Sequence, residues 1–225
     1  MSEVLVKCFF LVFLINRTIF TLPSSSLISK WTSAVEAEPG FLHTVLQAVT
    51  QYPNEERDVN IVIDAMSLKK AKLWNQSRGK FIGYPDYGEV DYGNLDFSVP
   101  QAQKKTKKGD NLATEVLVFQ AVCLRGTWKL PIAYFFQNKI TAKFQGELIK
   151  TAATLCHQKS IRVHSITFDG CRTNMATMNY LMKRRVLSLG SNAHFSHPCE
   201  GLPDIYIILD ACHMVKLARN ALRKI

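Results

Sequence analysis

Three apolar runs of this chain end in an aspartate, and this pattern most constrains its fold. The runs lead to Asp64, Asp169 and Asp210. Near-continuous apolar runs are typical of strands that are buried on both faces, as in parallel sheets. Carboxylates at the carboxyl ends of parallel strands lie where open α/β sheets bind their ligands. The pattern therefore predicts an α/β protein with an acidic, metal-binding site at one edge of its sheet.

The order of the predicted elements supports a sheet flanked by helices. Strand signals dominate the first half of the chain, and helix and strand signals alternate in the second half. Such an order is typical of a mixed sheet with helices on its faces. We predict strands at 58–69, 71–74, 80–84, 115–123, 130–136, 161–168 and 205–209, and helices within 22–52 and at 141–157, 173–186 and 213–224. We also predict that Cys123, Cys156 and Cys171 are buried as small hydrophobes.

Two of the aspartates form a candidate metal site. Neighbouring strands lie about 4.8 Å apart, so aspartates at adjacent strand ends can share hard cations. Mg²⁺ prefers carboxylate and water oxygens, and two-metal phosphoryl transfer uses ions about 3.5–4 Å apart. The residues alone leave alternatives open. Asp169 precedes Gly170 and a helix, where an aspartate also serves as a turn or cap residue. Asp210 can instead complete the acid cluster of a different phosphotransferase.

The charge balance points to a polyanionic partner. The chain has 28 basic and 18 acidic residues and a net charge of +10. A basic excess favours nucleic acid as a partner, although solvated surface charge is the alternative for any single residue. Candidate DNA contacts lie in the loop 85–111 and at the end of the helix predicted at 173–186. They are Lys104, Lys105, Lys107, Lys108, Arg184 and Arg185.

A second group of metal-ligating residues lies near the carboxyl end. His194, His197, Cys199, Cys212 and His213 are close in sequence, but their spacing fits no common zinc template. Ordinary histidines in a Gly/Pro-rich loop explain them as well. The chain has no CxxC pair and no phosphate-binding GxxxxGK[ST] loop.

The amino terminus carries a short apolar block at residues 8–15. It is either the core of a secretory signal or a strand or helix fragment, and Glu3 argues against the first interpretation. No apolar run reaches the roughly 18 to 20 residues that span a bilayer, so we expect no membrane partner.

An ordered series of motifs resembles the P-element-type transposases, including the THAP-domain-containing transposase-like proteins of animals. The motifs include Ile-Asp-Ala-Met-Ser-Leu-Lys at 63–69, Thr-Phe-Asp-Gly at 167–170 and Asp-Ala-Cys-His-Met-Val-Lys at 210–216. Further matching stretches lie at 22–31, 38–41, 83–88, 113–119 and 131–135. Together they cover roughly residues 22–225.

The resemblance implies an RNase H-like catalytic core of a DDE-type transposase. Such enzymes cleave DNA and join strands with two Mg²⁺ or Mn²⁺ ions, and they act in the nucleus. Asp64 matches the first family acid and Asp169 the second, so both are expected as catalytic residues and metal ligands. Asp210 and His213 match an Asp-x-x-His signature of accessory role.

The chain also departs from the family pattern. The third acid, a Glu on a late helix after an insertion associated with GTP, has no match before Ile225. We therefore expect a truncated, inactive or incomplete enzyme without the GTP site. The expected organisation is a non-matching segment 1–21, a helical segment 22–56 and an RNase H-like core 57–225. The alternative function is a domesticated, non-enzymatic protein that binds DNA or associates with itself or a related transposase. If residues 1–21 hold a real signal, the location is secretory rather than nuclear.

Overall fold

The computed structural model describes residues 26, 38–76, 79–88, 111–183 and 193–223. The chain divides into two compact units, residues 1–38 with 73–82 and residues 39–72 with 83–225. In chain order the elements are β1 (Gly40–Phe41), α1 (His43–Val49), a 3-10 turn (Asn54–Arg57), β2 (Asp58–Ser67), β3 (Leu73–Asn75), β4 (Lys80–Ile82), β5 (Glu115–Cys123), β6 (Lys129–Gln137), α2 (Ala142–Gln158), β7 (Arg162–Phe168), α3 (Arg172–Leu181), β8 (His194–Phe195), β9 (Ile205–Leu209) and α4 (Ala211–Leu222).

The described part of the first unit is a hairpin. Strands β3 and β4 pair antiparallel, with Trp74 opposite Phe81. Their rings meet edge to face at 4.9 Å between centroids. This confirms the hairpin that turn residues between two extended segments predict.

The second unit is built on a seven-stranded mixed sheet in the order β1-β6-β5-β2-β7-β9-β8. Strands β2, β5 and β6 form an antiparallel meander, whereas β7 pairs parallel with both β2 and β9. Helix α2 lies between β6 and β7 in the chain, and α3 follows β7. The predicted mixed sheet with helices is therefore confirmed. The parallel strands bring the carboxyl ends of β2, β7 and β9 to one edge of the sheet.

Alternate residues of the strands build the core on one face of the sheet. Val59, Ile61 and Ile63 of β2 are at most 2% exposed, and they pack in one cluster with Phe168 of β7 and Leu148 of α2. The intervening residues of β2 are half-buried, and its last four residues are exposed. The prediction that this strand is buried on both faces is wrong, because Asn60 and Val62 on its second face are only half-buried.

Two helices differ in extent from the predicted ones. Phe41 lies in strand β1, and helix α1 begins only at His43. Helix α3 ends at Leu181, and Lys183 adopts a left-handed backbone with φ of 52°. Cys123 and Cys156 are buried as predicted, but Cys171 is exposed because it caps the start of α3.

Within the described part of the chain, much of the apolar face of α4 is exposed. Val215 is 69% exposed and Leu222 is 71% exposed, and no residue of this helix is buried. None of the helices in the described part of the chain combines the length and apolar character that crossing a bilayer requires.

Candidate catalytic and metal site

The pairing of β2 with β7 brings Asp64 and Asp169 together. In this parallel pair Val62 lies opposite Thr167, and the two aspartates follow two residues later on their respective strands. Residues in register on adjacent strands point to the same face of a sheet, about 4.8 Å apart. The register therefore brings the two aspartates predicted from the sequence to the same edge of the sheet.

The two aspartates differ in their place on the strands. Asp169 directly follows the last residue of β7, as predicted. Asp64 is not the end of its strand, because β2 continues to Ser67 by pairing with β5, where Asp64 lies opposite Val118. The predicted strand 58–69 also runs past Asp64 and is confirmed except for its last two residues, so Asp64 interrupts the apolar run within the strand.

Asp169 is held firmly by its surroundings. Its Oδ1 atom accepts hydrogen bonds from Cys171 N at 3.0 Å and from Asn174 Nδ2 at 2.7 Å. Burial raises the pKa of Asp169, but the hydrogen bonds from Cys171 and Asn174 and the nearby His213 outweigh burial and lower this pKa overall. The carboxylate is therefore ionised at neutral pH and suited to binding a cation.

Asp64 is exposed and has little support. Its Oδ1 atom accepts one hydrogen bond from the following Ala65 N at 2.8 Å, and it has no other hydrogen bond with a described residue. An ionised carboxylate can accept about four hydrogen bonds, so most of the acceptor capacity of Asp64 is unused within the described part of the chain.

Both aspartates line one cavity of about 600 Å³. Lys70, Glu115 and Lys139 also line it. These three residues were missed by the sequence analysis. Glu115 begins β5 and lies opposite Gln137, the last residue of β6. Because β5 runs antiparallel to β2, its first residue comes to the same edge of the sheet, and this antiparallel order was the signal that could have found it.

The cavity contains a buried amide. Gln137 is 2% exposed, and its Nε2 atom donates to Glu115 Oε2 at 3.0 Å. Its Oε1 atom has no hydrogen-bond partner among the described residues. Lys139, two residues later, has a left-handed backbone with φ of 61°, which is rare for residues other than glycine.

Comparison with known proteins decides the family. The family model "TNP-like, RNase H N-terminal domain" matches residues 37–182. The chain belongs to this family. The match spans both aspartates, and it also contains the strands β2, β5, β6 and β7 and the helix α3. 

Related proteins agree with this family. The chain is 26% identical to human DNA transposase THAP9 over 214 residues, which is 91% of this chain and 22% of the relative. It is 21% identical to the Drosophila melanogaster Transposable element P transposase over 201 residues, or 89% of this chain and 22% of the relative. The chain thus spans about a fifth of the length of these curated relatives.

A solved structure supports the same fold. The Drosophila P element transposase strand transfer complex is similar with a TM-score of 0.63 at 18% identity, over 98% of this chain and 43% of that chain. The RNase H-like mixed sheet that the resemblance implied is confirmed.

Asp210 and His213 are not among the residues that line the cavity. Asp210 caps helix α4 by accepting from Cys212 N at 2.9 Å, and its Oδ2 lies 2.5 Å from His213 Nδ1. The hydrogen bond with His213 is the largest cause that lowers the pKa of Asp210. The pair thus has a clear role in starting the helix, and its accessory role stays a prediction.

The remaining predicted ligands have other partners or fall outside the structure. His194 Nδ1 lies 2.7 Å from Asp204 Oδ2, and His197 Nδ1 accepts from Cys199 N at 3.0 Å. Across the described ranges, no group of three or more His, Cys, Asp or Glu side chains could hold a metal ion. The predicted DNA contacts Lys104, Lys105, Lys107, Lys108, Arg184 and Arg185 lie outside the described residues.

Proposed function

We propose that the TNP-like RNase H domain binds Mg²⁺ or Mn²⁺ through Asp64 and Asp169 and serves DNA cleavage and strand transfer in a transposase. The observation that carries the proposal is the convergence of both carboxylates in one cavity through the parallel register of β2 and β7. Two carboxylates suit Mg²⁺, which is often held by one or two carboxylates together with water and substrate phosphate. When bound, such ions stabilise the attacking and leaving oxygens of phosphoryl transfer.

Metal binding is the test of this site, because the resemblance predicts that turnover needs a further acid. Titration calorimetry with Mn²⁺ compares the wild type with Asp64→Asn and Asp169→Asn. We expect each substitution to weaken binding at least about tenfold, since each removes a charged oxygen ligand. Asp204→Asn is the matched control, because it makes the same change at an aspartate that does not line the cavity. Equal Mn²⁺ affinity in all four proteins would contradict the proposal.

Asp210→Asn separates this proposal from the different phosphotransferase in which Asp210 completes the acid cluster. Asp210 is not a cavity-lining residue, so we expect its substitution to leave Mn²⁺ affinity within about twofold of wild type. A loss as large as that of Asp169→Asn, together with hydrolysis of small phosphate esters by the wild type, would favour the alternative enzyme.

The non-enzymatic alternative, DNA binding without catalysis, is favoured by the two lysines of the cavity. Lys70 and Lys139 are exposed and line the same cavity as the aspartates, where a phosphate backbone would meet them. The logarithm of DNA affinity falls linearly with the logarithm of salt concentration, and each lost phosphate contact makes this slope shallower by about 1. We expect this reduction for Lys139→Gln and none for the control Lys129→Gln at the opposite end of β6. DNA binding that survives Asp64→Asn and Asp169→Asn would support the alternative.

We propose a nuclear location and association with DNA, as expected for a transposase-family protein. Self-association or pairing with a related transposase stays a prediction. The secretory alternative depends on residues 1–21, which lie outside the described residues. Imaging of the full chain with a carboxyl-terminal fluorescent tag distinguishes a nuclear signal from a secretory one.

A further inference from the structure

Two buried side-chain amides are linked to Asp169 by consecutive hydrogen bonds. Gln145 of α2 is 1% exposed, and Asn174 of α3 is 9% exposed. Gln145 Nε2 donates to Asn174 Oδ1 at 2.6 Å, and Asn174 Nδ2 donates to Asp169 Oδ1 at 2.7 Å. Burying an amide costs free energy unless its hydrogen bonds are made, so this series of contacts is a specific arrangement.

The charge of the Asp169 carboxylate sets which group donates in each of these two hydrogen bonds. An ionised Asp169 can only accept hydrogen bonds, so the atom of Asn174 that meets it must be Nδ2. The Oδ1 atom of Asn174 then faces Gln145 and requires a donor, which Gln145 Nε2 provides. The two amide orientations therefore follow from the charge of Asp169, and together they hold its Oδ1 atom in one place.

The two aspartates of the site are supported very differently. Asp64 receives a hydrogen bond from the neighbouring Ala65 N alone among the described residues. Asp169 receives the amide of Asn174 and the backbone of Cys171 on one oxygen. Gln145 and Asn174 also line the cavity itself. Loss of a partner that orients a ligating group typically lowers metal affinity or activity by about 10- to 100-fold.

We propose that Gln145 and Asn174 form a positioning relay that orients the Asp169 carboxylate for metal binding. The relay rests on the proposed function of Asp169 as a metal ligand. The relay fixes the orientation of the carboxylate through hydrogen bonds to Oδ1. The Oδ2 atom is therefore not needed to hold the side chain in place. Asp169 is then the rigid ligand of the site, and Asp64 is the ligand that adapts.

A purely structural role for these amides, as a tie between α2 and α3, predicts a different result. The same two helices are also joined by Tyr180 Oη, which donates to Glu147 Oε1 at 2.6 Å away from the relay. Tyr180→Phe removes that hydrogen bond and leaves Gln145, Asn174 and Asp169 in place. It is therefore the matched control for loss of a helix–helix hydrogen bond.

Titration calorimetry with Mn²⁺ on the full chain tests the relay. We expect Asn174→Ala to lower Mn²⁺ affinity about tenfold, Gln145→Met by a smaller factor of about three, and Tyr180→Phe to leave it unchanged. Gln145→Met keeps the length of the side chain, so it carries the test if Asn174→Ala does not fold. A loss in Tyr180→Phe equal to that in the relay variants would overturn the relay, because helix packing would then explain both.

The outcomes separate the relay from the site that it supports. If Asp169→Asn weakens Mn²⁺ binding while the folded relay variants stay within twofold of wild type, the metal site stands and the relay is wrong. If Asp169→Asn leaves binding unchanged, the proposed function fails and the relay fails with it. Nuclear magnetic resonance gives a second readout that a structural tie would not show. Addition of Mg²⁺ is expected to shift the side-chain amide resonance of Asn174, and this shift is expected to vanish in Asp169→Asn.

Discussion

Strand β2 carries one aspartate where its pairing with β7 begins and another two residues beyond the last paired residue, Val62, and the two aspartates have opposite surroundings. Asp58, at the amino end, is 5% exposed. Its Oδ1 atom receives Arg162 Nε at 2.6 Å and lies 2.8 Å from His164 Nε2, while Arg125 Nε is 3.1 Å from Oδ2. Asp64, towards the carboxyl end, is exposed and accepts one hydrogen bond from its own neighbour.

The comparison shows how partners decide the role of a carboxylate. The hydrogen bond from Arg162 is the largest cause that lowers the pKa of Asp58 to about 2, while burial partly offsets it and His164 adds to it. Oδ1 of Asp58 contacts Arg162 and His164 of β7, and Oδ2 contacts Arg125 in the connection between β5 and β6. Both oxygens are therefore occupied by side chains that tie β2 to other parts of the sheet, so this aspartate stabilises the fold. Asp64 has unused acceptor capacity beside a cavity, which is what a metal ligand requires.

The largest expected effect is loss of stability in Asp58→Ala. This change leaves the Arg162 guanidinium without the carboxylate that it contacts, and removing one partner of a buried ion pair is costly. Because Arg162 and Arg125 are 43% and 68% exposed, we expect a loss of about 2 kcal/mol rather than the full cost of a buried pair. Urea unfolding at pH 7 measures it, and a loss below about 0.5 kcal/mol would remove the contrast between the two ends of the strand.

Acidic pH should lower the free energy of unfolding, because it protonates the Asp58 carboxylate. The pKa of Asp58 is lowered from 3.8 to about 2 in the folded protein, so its stabilisation is complete above about pH 4 and is lost as the pH falls towards 2. The difference corresponds to about 2 kcal/mol. We compare the unfolding free energies of wild type and Asp58→Asn across this range. The gap between them should close as the pH falls, and a constant gap would contradict the assignment.

A smaller effect is expected from Arg162→Lys. Arg162 also donates through Nη1 to Asn54 Oδ1 at 2.8 Å and through Nη2 to Asn54 O, which a lysine ammonium cannot reproduce in the same plane. We expect a loss of about 1 kcal/mol in urea unfolding. Arg125→Lys is the matched control at the more exposed partner of Asp58, and we expect no measurable change there. An unchanged free energy of unfolding in Arg162→Lys would mean that charge, not geometry, holds Asp58.

The local pattern of the sequence was enough to find most of the fold. Strands β5 and β9 begin and end where the alternation and the apolar runs predict, because their side chains face a core on one side. The predicted strand 58–69 is also close to β2, which ends at Ser67 where its pairing with β5 ends. The pairing partner of each strand, in contrast, is a long-range property that no local pattern specifies.

The candidate site was predictable only in part, for the same reason. Asp64 and Asp169 stand out because they interrupt or follow apolar runs. Three further residues come to the same cavity through the antiparallel meander, which no local pattern specifies. They are Lys70, Glu115 and Lys139. The buried pair Gln145 and Asn174 gave no signal, because a polar residue in a helix is ordinarily exposed. Asp58 also begins an apolar run, and only the folded positions of Arg162 and His164 reveal that its role is structural.

The smallest expected effect on stability, and the sharpest for the comparison, is that of Asp64→Asn. Its carboxylate makes one exposed local hydrogen bond, and an asparagine oxygen can accept the same bond from Ala65 N. We therefore expect the unfolding free energy to stay within about 0.5 kcal/mol of wild type. Mn²⁺ affinity in the same protein should fall at least about tenfold, and urea unfolding with and without Mn²⁺ measures both properties in one series. A large loss of stability without metal would show that Asp64 supports the fold as Asp58 does, and the two ends of β2 would then no longer differ in kind.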